Sequence, residues 1–246
     1  MTTATVPRAT TASHAPDGAA REPLLVALKP YDGCDAPLAM AQWLAATEHR
    51  PLHAVSVLES NDTIAIAAGV PVLPEHYHAE ERAAVAELLE ERIARGASPD
   101  GLERRVDVLE GPTARAVVDL AQDHAAQLLV VGTGSHGRLG RLVYGEHAVQ
   151  ISRLADRPVL VVPPNTPAGR VACAMVAVDF SPASQRAARL ALALVADGGE
   201  LALVHVKSAV NLSEEGAGWW EEAYERRTAD LFRRFAIPRD FRGLRI

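Results

Sequence analysis

The stretch LLVVGTGSHGRLGRLVYGEHAVQISRLADRPVLVVP, residues 128–163, decides the fold. Leu128 to Val131 is continuously apolar, as a strand buried on both faces must be. A glycine-rich segment, Gly132 to Gly145, follows it, and a short helix is predicted over 146–154. Val159 to Val162 is a second apolar strand, entered through Pro158 and stopped by Pro163-Pro164. Apolar strands joined through helices belong to a parallel α/β sheet, with right-handed crossovers carrying the helices to its faces.

The same alternation extends toward the amino end. Leu24 to Leu28 reads as a first buried strand, followed by a helix over 36–46 and a strand over 52–58. Residues 61–74 read as a loop. A long helix over 79–95 carries Val85, Leu88, Leu89 and Ile93 on one stripe. Gly96 to Gly101 interrupts it, Val106 and Val108 mark a third strand, and Gly111-Pro112 opens a helix reaching His124. The reading is a five-stranded, doubly wound parallel sheet over residues 22–165.

Beyond it the pattern begins again. Ala174 to Asp179 resembles Leu24 to Leu28 and its loop, a helix spans 183–196, and Leu201 to Val206 is a second strand. A helix with Trp219 and Trp220 in or just before it runs to about Phe235, the pair covering sheet or helix surface. Residues 170–246 thus read as a half repeat, incomplete relative to the first copy. It is expected to dock on the first unit or on the same half of another chain. Residues 1–21, rich in Thr, Ala and Pro, read as a disordered tail; Arg8 and Arg21 keep a transit-peptide reading open.

Composition narrows the function. Of 246 residues, 48% are hydrophobic, which suffices for a packed core, and the net charge of −6 argues against binding to nucleic-acid backbone. Cys34 and Cys173 are the two cysteines, too few for a disulfide framework, and they fit a reducing, cytoplasmic compartment. No apolar run reaches the roughly 18–20 residues of a membrane span.

In a doubly wound sheet, ligands bind at the carboxyl ends of the strands where the strand order reverses. Asp32 follows the first strand there, and Gly132-Thr133-Gly134-Ser135-His136-Gly137-Arg138-Leu139-Gly140 follows the fourth. Four glycines in these nine residues let backbone N–H groups approach an anion, and the helix after Gly145 adds its positive end. No Gly-Lys-Ser/Thr follows, so this is not a Walker loop. A plain Gly-rich turn remains the alternative.

Residues 128–163 resemble the carboxyl third of universal stress proteins. So do GPTARAVVDLAQDHAAQLLVVG (111–132) and, in the second copy, VAVDFSPASQRAARLALALVADGGELALVHV (176–206). The resemblance implies a tandem protein with an incomplete second copy and a fold of the adenine-nucleotide α-hydrolase type. It also implies adenine-nucleotide binding in one branch of the family and homodimers formed through the last strand. That branch carries Gly-x2-Gly-x9-Gly-(Ser/Thr). Aligned without gaps, Gly132 and Gly145 match, Ser135 replaces the second glycine and Glu146 replaces the hydroxyl. The implied nucleotide site comprises Asp32, Val57, Gly132, Thr133, Gly134, Ser135, His136, Gly137, Gly145, Glu146 and His147. Val57 stands where the backbone reads the adenine edge; in the second copy Asp179 is the counterpart of Asp32 and Val206 that of Val57, and no complete site is expected there.

Glu146 bears directly on this site. A carboxylate about 4 Å from a phosphate repels it by ~1 kcal/mol in water and ~4 kcal/mol at an effective dielectric of about 20. It can plug the cradle, help to hold a Mg²⁺ with ATP, or face solvent as a helix cap. Three readings of function result: a nucleotide-binding stress-response module with ATP and Mg²⁺, a dimerising protein with an empty crevice and no cofactor, and a weak Mg²⁺-dependent ATP hydrolase. No catalytic base or arginine finger can be named from spacing, so hydrolysis has the least support. Glu75-His76-Tyr77-His78 with Glu80 reads as a solvated helix entry, because side chains two apart do not converge on one helix face. His124 is expected to end its helix, and His53 and His205 to hydrogen-bond locally.

Overall fold

The computed structural model of the protein describes residues 21–31, 35–59, 75–96, 101–133, 146–206 and 214–235. Two regions expected from the sequence, the tail before residue 21 and the glycine-rich residues 134–145, lie outside them, as do Asp32 and Cys34.

Five strands form the first sheet: β1 (Leu24–Ala27), β2 (Leu52–Leu58), β3 (Arg104–Glu110), β4 (Leu128–Gly132) and β5 (Val159–Val162). Their order is β3-β2-β1-β4-β5 and every pairing is parallel. This is the expected doubly wound α/β sheet, and the order reverses between β1 and β4. Leu24 pairs in register with both Leu52 and Leu128, and Ala27 with both Val55 and Val131, so the strands flanking the reversal end level.

Side chains alternate between faces along each strand. Leu24, Val26, Leu52, Ala54, Leu128 and Val130 pack against α1 (Ala36–Glu48) and α2 (Glu75–Arg95). Leu25, Val55, Leu129 and Val131 pack against α3 (Thr113–Asp123) and α4 (Glu146–Leu154). Each fully buried Leu or Val here contributes about 1.5–3 kcal/mol. Helix boundaries follow local chemistry. Pro37, with its preset φ, lies in the first turn of α1, and His49 ends that helix in the left-handed conformation at φ 53°.

The second part holds two parallel strands, β6 (Val171–Ala177) and β7 (Val195–Val204), with α5 (Pro182–Leu194) between them and α6 (Glu214–Arg234) after them. Ser181 caps α5, its hydroxyl accepting from the Ser184 N–H at 3.2 Å. Val176, Val178, Ala188, Leu192, Val195 and Leu201 form a separate small core. The strand expected over 201–206 starts earlier, at Val195. Residues 195–200 contain Gly198-Gly199 and read as a turn, yet they pair with β6 through an irregularity between Val171 and Cys173. The side chains of Trp219 and Trp220 lie outside the described residues.

Candidate nucleotide-binding crevice

At the carboxyl ends of β1 and β4 lies a crevice with about 620 Å³ of empty space, open to solvent. Its apolar wall is built from Ala27, Val55, Val57 and Val131, the ends of three strands. Its rim carries Lys29 after β1, Gly132 at the end of β4, and Thr113 and His147 from the first turns of α3 and α4. Pro37 brings the start of α1 to the same place.

Three helices therefore begin at one opening. Pro112 precedes α3 and offers no side-chain cap, and Asp35 makes no cap bond to α1. The first-turn N–H groups of a helix lack intrahelical acceptors and carry the positive end of the dipole. Two such ends beside Lys29 favour a negatively charged group.

The rim side chains form a partly satisfied network. Thr113 Oγ1 donates to Glu59 Oε1 at 2.7 Å, and His147 Nε2 lies 3.6 Å from the same oxygen. His147 Nδ1 is buried and has no hydrogen-bond partner among the described residues. An unsatisfied buried polar atom costs about 1–3 kcal/mol, which a ligand donor or acceptor in the crevice would recover.

Behind the rim, the β1–α1 connection is fastened from a distance. Arg92 of α2 donates to the Lys29 carbonyl at 2.9 Å and to Asp35 Oδ1 at 2.7 Å. The buried Ser56 hydroxyl donates to the Leu28 carbonyl at 3.0 Å. Leu28 and Lys29, just after β1, are thus held in place at the crevice mouth.

Of the residues expected from sequence, Val57, Gly132 and His147 line this crevice, and Thr133 directly follows β4 with its N–H donating to Val162. Glu146 opens α4 with its side chain exposed, Oε1 accepting from Gln150 Nε2 at 3.2 Å. This is a solvent-facing helix start, while the glycine-rich segment it was expected to plug lies outside the described residues. Asp32, Gly134, Ser135, His136, Gly137 and Gly145 lie outside the described residues. Sequence reasoning missed Lys29, Glu59, Thr113 and Arg92. The first three directly follow strand ends or open a helix, where the switch-point rule places ligands. Arg92 sits beside Leu89 and Ile93 on the inward stripe of α2, where a charge requires a partner.

In the second part, Asp179 is held by the Ser181 N–H at 2.9 Å and Val206 is exposed. His205 hydrogen-bonds locally, to the Val178 carbonyl at 2.6 Å and the Tyr224 hydroxyl at 2.8 Å. Among the described residues no helix is long and apolar enough to cross a membrane.

Comparison with known proteins adds a family. The stress response protein NhaX of Bacillus subtilis (strain 168) is 33% identical over 57 residues, 23% of this chain and 34% of that protein, so the match spans about a third of its length. A solved universal stress protein in complex with cAMP aligns at a TM-score of 0.42 and 20% identity, covering 60% of this chain and 100% of the other. One from Archaeoglobus fulgidus in complex with dAMP aligns at 0.38 and 19%, covering 57% and 96%. The universal stress protein family model matches residues 20–163 and 174–237. With most of its length matched in two successive stretches, the chain belongs to the universal stress protein family.

Proposed function

We propose that the crevice between β1 and β4 binds an adenine nucleotide, and that the protein is a stress-response binding module rather than an enzyme. One observation carries this reading: the helix N-termini of α1 and α3, without side-chain caps, converge at a strand-order reversal on an open crevice whose lining histidine has a buried nitrogen without a partner among the described residues. The donor set suits the ligand. The apolar wall of Ala27, Val55, Val57 and Val131 suits a base; Lys29, the start of α3 and the start of α4 suit phosphates. Asp32 and the backbone of Gly132, Thr133, Gly134, Ser135, His136, Gly137 and Gly145 complete the proposed site. Mg²⁺ would accompany ATP, with Glu59 and Glu146 as the nearby carboxylates. A cytoplasmic homodimer is part of the same proposal.

The test is calorimetric titration of the full chain with ATP plus Mg²⁺, AMP and cAMP, together with analysis of nucleotide that copurifies. Saturable heat with any of the three supports the reading; no heat up to millimolar ligand and no copurified nucleotide overturns it. A dimerising protein with an empty crevice is the second reading, favoured by Ser135 and Glu146 in place of the family's glycine and hydroxyl. A dimer by light scattering with a silent titration would select it.

A further inference from the structure

The opposite end of the sheet holds a second group of chemistry-bearing side chains. His53 lies near the amino end of β2, opposite Arg105 in the β3 register, and Asp107 follows two residues along the same face. His124 ends α3, whose eleven residues carry it about 16 Å along the axis from Thr113 and the crevice. His53 Nε2 and Asp107 Oδ2 are 2.6 Å apart, and the His53 and His124 rings meet edge to face with centroids 4.8 Å apart.

We infer that His53, Asp107 and His124 are a three-ligand site for a zinc-class divalent transition-metal ion, with a fourth position open to water. One donor atom from each of the three falls within 4.8 Å of the others. A tetrahedral ion with bonds of about 2.0–2.1 Å places its donors about 3.3 Å apart. The present spacing brackets that value: the His53–Asp107 contact opens slightly and the His124 ring closes slightly. Two imidazoles and one carboxylate match the preference of such ions and not of Mg²⁺ or Ca²⁺, which take oxygen donors. The three ligands come from the paired strands β2 and β3 and from the end of α3, so the ion would pin the end of α3 to that strand pair, which it meets here through the His53–His124 ring contact.

Access and charge agree with this. His53 is buried, while Asp107 and His124 are half-buried, which leaves the ion a path from solvent. Burial pushes the Asp107 carboxyl up, but the His53 hydrogen bond and charge, with Arg105 beside it, outweigh burial and leave it below its usual range. Burial, then the His53 and Arg105 charges, lowers His124. Arg105 Nε lies 3.0 Å from Asp107 Oδ2, but its side chain is more than half exposed and can turn outward.

The experiment is titration of the tag-free full chain with Co²⁺, read by its visible bands, and with Zn²⁺, read by calorimetry and by the rise in Tm that binding to the native state produces. One ion per chain with four-coordinate Co²⁺ bands is expected. His124→Ala and Asp107→Asn should each weaken binding at least ~10-fold, the loss produced even by outer partners of a metal site. Both positions are partly exposed, and circular dichroism checks their folding. A double His76→Ala/His78→Ala variant should bind as tightly as the parent. Absence of Co²⁺ bands, undiminished binding by His124→Ala, or loss of binding in the His76/His78 variant would overturn the site.

Discussion

His147 and Glu146 are neighbours in sequence with different surroundings. His147 lines the crevice with Nδ1 buried and unpartnered among the described residues, whereas Glu146 is exposed and paired with Gln150 on its own helix. If nucleotide binds as proposed, His147→Ala should lower its affinity roughly tenfold, the worth of about one hydrogen bond. Glu146→Ser should raise it less than about tenfold, because an exposed carboxylate repels phosphate only through water. Calorimetry on the two variants checks both, and a large gain from Glu146→Ser would show that the carboxylate plugs the cradle. Asp179 offers a pH test in the second part. Hydrogen bonds from the Ser181 side chain and N–H, then the Ser184 hydroxyl, lower its pKa to about 2. A lowered folded-state pKa stabilises the fold above the unfolded value of 3.8, and that contribution disappears as pH falls through about 2. The carboxyl carbon followed by NMR should titrate near 2 in the parent and upward of that in Ser181→Ala; an unchanged midpoint in the variant would refute the cause.

At the scale of elements, the seam between α1 and α2 is tight at one point. The buried Gln42 amide donates to the Ile93 carbonyl at 2.9 Å, and Gly96 follows close against it. A Cβ at Gly96 would collide with the Gln42 amide, which its buried bond prevents from swinging away. Gly96→Ala should therefore destabilise the chain by about 1–3 kcal/mol, the usual penalty of overpacking. Urea unfolding measures it, and an unmoved midpoint at constant slope would show that Gln42 yields. Local sequence announces much of this architecture. The strand over 159–162 and the helix over 146–154 have the expected bounds, because each is an apolar or periodic run with a Pro or Gly boundary. The early part of β7 escapes such reading because Ala196-Asp197-Gly198-Gly199 has turn chemistry and pairs only through a distant partner strand. The polar contacts that shape the sites escape it too. Arg92 meets Asp35 across 57 residues and His53 meets Asp107 across 54, so their partners exist only once the sheet has formed. The crevice's place was legible from strand order; the rim residues Lys29, Glu59 and Thr113 were not, since their types are ordinary and their position alone makes them functional.

On the scale of the whole molecule, the chain joins a well-buried five-stranded unit to a two-stranded one. A two-stranded sheet is marginal alone, and β6 and β7 leave Met175 and the adjoining Val206 exposed at 74% and 81%. What supports the smaller unit is contact: Leu190 and Leu194 of α5 pack against the core that β1, β4, α1 and α2 share. This matches the expectation that the half repeat docks on the first unit, and it locates the contact on one helix. The small core in turn depends on α5, which supplies Ala188 and Leu192 to it. Placing carboxylates at the contact in a Leu190→Asp/Leu194→Asp variant removes apolar burial without touching those two core positions. Opening free energies then diverge between the units, as they do wherever a protein unfolds by parts. Hydrogen exchange should show the β6 and β7 amides losing at least about tenfold in protection while β1 to β5 keep theirs. Equal loss in both units would mean that they unfold as one body, and no loss in either would mean that the small core stands without the contact.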